Sequence, residues 1–235
     1  MSCALTKRKI EYIYTNKEFQ MKNIFIPKHP LVSHNLALIR DKNSERETFL
    51  SAFQHVSFFL IQEGLKHLPQ QEVEIETPLT KMKTQKIDSE YTYIIAPILR
   101  AGLALTETAV SFLPQAHVMH IGMYRNEETH QPIWYYNKTP MSFPQKTKVF
   151  ILDPMLATGG SATACIDLFI QKGISQNDII FISLLSAPEG INVVQEKYPD
   201  VKIVTGCIDN HLNDKAYIVP GLGDAGDRYF NSVIP

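Results

Sequence analysis

Cysteine is scarce in this 235-residue chain, with Cys3, Cys165 and Cys207 far apart. An odd number without a Cys-x-x-Cys pair excludes a disulfide framework and points to a reducing compartment. Neither sign of charge dominates: 23 basic and 24 acidic residues leave a net charge of −1. No global field therefore draws the chain to nucleic acid or to an anionic membrane. No apolar run reaches the length of a membrane span. The stretch after Lys7, Arg8 and Lys9 is too polar for a signal-peptide core, and Glu11 and Glu18 argue against an acid-poor transit peptide. The expected location is the cytoplasm. Internal repeats and low-complexity tracts are also missing.

What is present is an ordinary globular balance, 44% hydrophobic and 20% charged, enough for one sizeable core. Residues 1–22 carry mixed charge without a period and read as an N-terminal extension. A single domain is expected over residues 23–235. Ser44 with Glu47 fits a capping box, and Phe49, Phe53, Val56, Leu60 and Ile61 repeat at helical spacing until Pro69. After residue 90 the pattern changes. Runs beginning at Tyr91, His117, Lys148, Asp178 and Val201 are almost continuously apolar, as strands buried on both faces of a parallel sheet are. His117 and His120 fall in one such run and face opposite ways, so they are not a metal pair. Helical stripes separate the strands: Ala162 to Ile170, closed by Gly173, and 188–198, entered through Pro188. The alternation predicts an open, mostly parallel α/β sheet with helices on both faces, and ligands at the carboxyl ends of its strands. Residues 124–147 form a long connection with Trp134, Tyr135 and Tyr136. It reads as a lid or a hairpin arm that grips a second subunit, in preference to a plain surface hairpin.

Four segments carry the chemistry. LDPMLATGGSA (152–162) leaves a strand and enters a helix. Asp153 is the first residue off the strand, and Thr158, Gly159, Gly160 and Ser161 make a turn whose N–H groups and helix start form a monophosphate cradle. No lysine follows the glycines, which excludes a Walker-type loop. ILRAGLA (98–104) sets Arg100 beside small residues, where an arginine can grip a diphosphate bidentately; alone, a loop arginine says little. GMYRNEETHQP (122–132) offers Arg125 as a second positive charge, opposed by Glu127 and Glu128. YIVPGLGDAGDR (217–228) matches a dinucleotide fingerprint in letters only, because Pro220 precedes the glycines and no βαβ unit follows. It reads instead as a rigid loop offering main-chain donors and acceptors to a small planar ligand. No nucleophile–base pair presents itself. That suits a transition state resembling an oxocarbenium ion, which the protein serves by positioning reactants and stabilising the departing anion.

Together these motifs, with KHPLVSHNLALIRD (28–41) and SAPEGI (186–191), resemble uracil phosphoribosyltransferase from about residue 24 to the end. The resemblance implies a type I phosphoribosyltransferase fold, with residues 207–235 as a small base-binding hood. It implies transfer of a phosphoribosyl group from phosphoribosyl diphosphate (PRPP) to uracil, giving UMP and diphosphate. Under it, Asp153, Pro154, Met155, Leu156, Ala157, Thr158, Gly159, Gly160 and Ser161 form the PRPP loop. Arg100 and Arg125 bind the diphosphate, Asp153 meets the ribose hydroxyls, and Asp224 lies near sugar and diphosphate. Asp153, Arg100, Arg125 and Asp224 are thus the catalytic set. Tyr217, Ile218, Gly223, Asp224 and Ala225 recognise uracil, mainly through backbone groups, whose two donors and one acceptor match a carbonyl–NH–carbonyl edge and mismatch cytosine. The resemblance further implies Mg²⁺ held mainly through PRPP with no dedicated metal residues, GTP as an activator in some members, and a homodimer or dimer-based oligomer. The N-terminal extension and residues 77–90 match nothing in that pattern. Rival readings are a purine-specific phosphoribosyltransferase, a non-catalytic nucleotide or RNA regulator and, more weakly, a dinucleotide-binding oxidoreductase.

Overall fold

A computed structural model describes residues 22–125 and 132–232 of the chain, so the expected extension lies almost wholly outside the described residues. The chain enters through strand β1 (Ile24–Phe25) and helix α1 (Pro30–Arg40). Pro30 occupies the first turn, where a missing N–H costs nothing, and the His29 ring accepts from the Leu31 N–H. Helix α2 (Arg46–Leu65) buries Phe49, Phe53, Val56 and Leu60 as the periodicity requires. Its start differs from expectation: the Ser44 hydroxyl turns back to donate to the Leu38 carbonyl, and Glu45 takes the cap position without a side-chain bond.

Strands β2 (Gln70–Glu76) and β3 (Lys81–Ile87) form an antiparallel hairpin, which accounts for most of the unplaced stretch 77–90. There follow β4 (Thr92–Leu99), α3 (Leu103–Phe112), β5 (His117–Val118), β6 (Ile121–Arg125) and β7 (Pro132–Asn137). Then come β8 (Thr147–Leu152), β9 (Met155–Leu156), α4 (Gly160–Gln171), β10 (Ile179–Ser186), α5 (Pro188–Lys197) and β11 (Lys202–Ile208). The chain closes with β12 (His211–Leu212), β13 (Ile218–Val219) and the short helix α6 (Ala225–Phe230).

The run expected as one strand from His117 to Met123 is two. Both pair with β4 in one register, Ile94 with His117 and Ile98 with Ile121. The Met119 N–H bridges the gap by donating to Ile95. The long connection begins as a β6–β7 hairpin whose tip, residues 126–131, lies outside the described residues.

The main sheet runs β1-β11-β10-β8-β4-β6-β7, with β5 beside β4 and β9 beside β10. Its described pairings are parallel except β6 with β7. The uninterrupted apolar strands follow from a core on each face. Ile95, Phe150, Ile182 and Val204 pack under α1, α2 and α3, while their neighbours Ile94, Ile151, Phe181 and Ile203 pack under α4 and α5. Each such side chain contributes roughly 1.5–3 kcal/mol by leaving water. Strand order reverses between β4 and β8, because β4 leads on to β6 and β8 leads the other way to β10. A crevice therefore opens at the carboxyl ends of β4 and β8, the position where ligands bind in such sheets. Arg100 and Asp153 are the first residues past those two ends.

Candidate active site

The turn after β8 is built around Gly159. Its φ of +81° belongs to the left-handed region, and a Cβ there would stand 2.9 Å from the Gly190 carbonyl oxygen. Gly190 in turn lets α5 press on the loop, since a Cβ on it would meet the Ala157 carbonyl oxygen at 2.4 Å. This explains the glycine of SAPEGI, to which sequence reading assigned no role. The turn delivers the chain into α4, where the first internal bonds to Gly159 come from the Thr163 N–H and hydroxyl, at 2.8 and 2.9 Å. Among the described residues, no hydrogen bond uses the N–H groups of Thr158, Gly159, Gly160 or Ser161. These donors and the positive end of α4 surround a cavity of about 150 Å³, lined by Asp153 and Met155 to Ala162. The arrangement suits an anion of phosphate size. Pro154 lines no part of it. It is buried, and its carbonyl accepts from the Leu184 and Leu185 N–H groups, which fastens the loop to β10.

A second cavity of about 760 Å³ adjoins the first and shares Asp153, Met155 and Ala157 with it. Its far wall is the hood: Asp214 to Ile218 and Gly223 to Gly226, with Ala101 from the turn after β4. Ile218 is buried, Tyr217 and Gly223 are exposed, and Asp224 caps α6 by accepting from the Asp227 N–H at 2.8 Å. Gly226 packs on Ala101, so the turn after β4 and the hood touch. Arg100, exposed at the rim, donates to Asp227 at 3.2 Å. Both partners of this pair reach solvent, so it contributes little and exchanges readily for a ligand anion. Arg125 closes β6, and its side chain lies outside the described residues.

Asp153 is the electrostatic centre. Desolvation raises its pKa from 3.8 to about 7; the Met155 N–H, at 3.4 Å, opposes the rise and the Asp224 charge adds to it. Among the described residues no group of three or more His, Cys, Asp or Glu forms a metal cage. The carboxylates lining the larger cavity are Asp153, Asp214 and Asp224. That donor set fits a hard cation carried largely by oxygens of a bound substrate and not a dedicated protein site. Another cleft, about 930 Å³, lies between α1, α2 and α3 and is lined by side chains such as Leu31, His34, Phe58 and Phe59. It lies away from the carboxyl-end crevice and lacks a glycine turn.

Sequence reading missed Arg40, Asp209 and Arg228, which brace the hood from behind. It also missed Asp227 as the partner of Arg100.

A parallel sheet with an anion-sized glycine turn and a hood at its carboxyl edge defines a type I phosphoribosyltransferase. An adenine phosphoribosyltransferase from Trypanosoma brucei, solved in complex with AMP, pyrophosphate and ribose-5-phosphate, shares this fold. Its TM-score is 0.51 at 14% identity, over 87% of this chain and 89% of that one. Within that class the chain belongs to the uracil phosphoribosyltransferase family, whose model matches residues 26–232. It is 46% identical to the uracil phosphoribosyltransferase of Dictyoglomus thermophilum, over 89% of this chain and 99% of the relative. The structure of the AQ2163 protein from Aquifex aeolicus superposes with a TM-score of 0.80 at 34% identity, covering 90% of this chain and all of the other. The chain is thus a transferase that moves the 5-phosphoribosyl group of PRPP to uracil, releasing diphosphate and forming UMP for pyrimidine salvage.

Proposed function

We propose that UMP is made in the joined cavities, within a phosphoribosyltransferase domain over residues 23–235 whose hood is residues 207–235. The single supporting observation is that the small anion cavity and the large cleft share Asp153, Met155 and Ala157. In this reading Thr158 to Ser161 seat the 5′-phosphate, and Asp153 accepts hydrogen bonds from the ribose hydroxyls. Tyr217, Ile218 and Gly223 to Ala225 receive uracil, and Asp224 stands between base and sugar. Arg100 and Arg125 hold the diphosphate and stabilise it as it leaves. The expected result with purified chain, Mg²⁺ and PRPP is UMP from uracil, with no IMP from hypoxanthine and no AMP from adenine. The reverse preference would return the purine reading.

Arg100→Ala tests the diphosphate role. Loss of a charged hydrogen bond raises the KM for PRPP by about ten- to a hundredfold. The KM for uracil stays within about twofold. Equal rises in both constants would contradict a diphosphate clamp.

Phosphoribosyltransferases generally use Mg²⁺ with PRPP. Here Asp153 and Asp224 would hold it together with substrate oxygens, and it would neutralise charge on the leaving diphosphate. A chelator is expected to abolish UMP formation and leave the thermal midpoint unchanged. A large drop in the midpoint would reveal a metal held by the protein itself.

The β2–β3 hairpin supports a homodimer or dimer-based oligomer. A two-stranded hairpin is marginal alone, and this one exposes Met82 and nearly all of Leu79. A second copy of the chain is the proposed cover. GTP as an activator rests on the family resemblance, and the same assay with GTP added tests it. A cytoplasmic location is supported by the scarcity of cysteine and by the buried thiol of Cys165. No described helix is long and apolar enough to cross a membrane.

A further inference from the structure

We propose that Arg40, Asp209 and Arg228 are positioning residues for the base, holding residues 218–225 in the one shape that reads uracil; this rests on the assignment of that loop to uracil. None of the three lines the cleft. Arg40 ends α1, and Asp209, only 4% exposed, follows β11. The guanidinium meets the carboxylate as a fork, with Nη2 to Oδ1 at 2.6 Å and Nη1 to Oδ2 at 2.8 Å. The same Nη1 donates to the Gly221 carbonyl at 2.8 Å, and the Gly221 N–H donates to Asp209 Oδ2 at 2.9 Å. Both main-chain polar groups of Gly221 thus end on one ion pair.

Gly221 is the pivot of the loop. Its φ is +62°, and a Cβ on it would stand 2.0 Å from the Ile218 carbonyl oxygen. The chain therefore doubles back on the residue that lines the cleft. Arg228 fastens the next residue from the other side. It donates to the carbonyls of Leu222 at 2.8 Å, Ile39 at 2.6 Å and Asp41 at 2.9 Å, and its guanidinium lies over the Phe49 ring at 4.4 Å. Gly221 and Leu222 are thereby tied to the end of α1, and the cleft-lining groups lie just before and after them.

A buried ion pair is a poor source of stability compared with apolar packing. Its advantage is direction: a planar fork fixes distances that apolar contact leaves loose. A loop that reads a base through its own N–H and C=O groups needs that fixity, because small misplacements are heavily penalised.

Arg40→Lys keeps the charge but cannot satisfy the carboxylate fork and the Gly221 carbonyl together. The expected result is a rise of about ten- to a hundredfold in the KM for uracil. The KM for PRPP, and kcat at saturating uracil, stay within about twofold. Arg228→Lys, on the half-exposed side of the loop, is the second variant and shows the same split even if Arg40→Lys fails to fold. Both KM values rising together, or a lower thermal midpoint with neither KM changed, would make the network merely structural and overturn the proposal. Wild-type protein that makes no UMP would sink the uracil assignment itself. Wild-type protein that makes UMP while both variants keep its uracil KM would sink only the brace.

Discussion

Asp153→Asn is expected to lower kcat/KM for PRPP by on the order of a hundredfold or more, and at the same time to stabilise the fold. Both effects come from one burial. The carboxylate stands at the junction of the two cavities, desolvated and near Asp224, with its pKa raised to about 7. Asparagine fills the same space without the charge, so it cannot accept both ribose hydroxyls as an anion can. It also escapes the cost of burying that anion. The pH dependence of activity has a definite sign: the working form is the carboxylate, so kcat/KM for PRPP rises with pH through about 7 and then levels. The stability effect runs the other way. The folded chain holds this proton more tightly than the unfolded chain does, so the aspartate's contribution to stability is greatest in acid. It declines from pH about 4 to about 7 and is flat above. The unfolding free energy of Asp153→Asn should exceed wild type by an amount that grows over that window, reaching about 1–4 kcal/mol, and its thermal midpoint should rise with it. Calorimetry across pH beside initial-rate profiles checks both halves. A variant that is active, or less stable at pH 8, would remove Asp153 from the reaction centre.

Ala225→Pro is expected to raise the KM for uracil by about ten- to a hundredfold while leaving the fold intact. Ala225 is the first residue of α6, and among the described residues no hydrogen bond uses its N–H. Proline is at home in that position, because the first-turn donors of a helix have no internal partner. Asp224 before it is already extended, with φ −80° and ψ 115°, the conformation a following proline imposes. The substitution thus deletes one main-chain donor and little else. Uracil then faces the loop with a carbonyl unpaired, a loss of about 1–3 kcal/mol before any displacement by the ring itself. Steady-state kinetics at raised uracil, with circular dichroism as the control for folding, decides the matter. An unchanged uracil KM would dismiss this loop as the base site.

The sheet was legible because its strands are buried on both faces, which leaves continuous runs such as KVFIL and IIFISLL. The glycine turn was legible because only glycine readily takes the left-handed backbone at 159, whereas the close approach of Gly190 to the loop shows only once the chain is folded. The start of α2 was misread for a local reason: Ser44 has a nearer acceptor in the Leu38 carbonyl than the helix it precedes. The β2–β3 hairpin carried a signal that passed unread. Glu72 and Glu74 alternate with Val73 and Ile75 and pair diagonally across the ribbon with Lys83 and Lys81, the pattern of a paired ribbon with one face in water. Arg40 and Asp209 were out of reach. They lie 169 positions apart, and before folding a charge destined for burial looks like any other.

The most direct measurement is a crystal structure of the chain with UMP bound. The phosphate is expected in the 150 Å³ cavity against the N–H groups of Thr158 to Ser161, with the uracil ring edge-on to Ile218 and Gly223 to Ala225. Nucleotide lodged in the cleft between α1, α2 and α3, with the glycine turn empty, would contradict the assignment of both subsites.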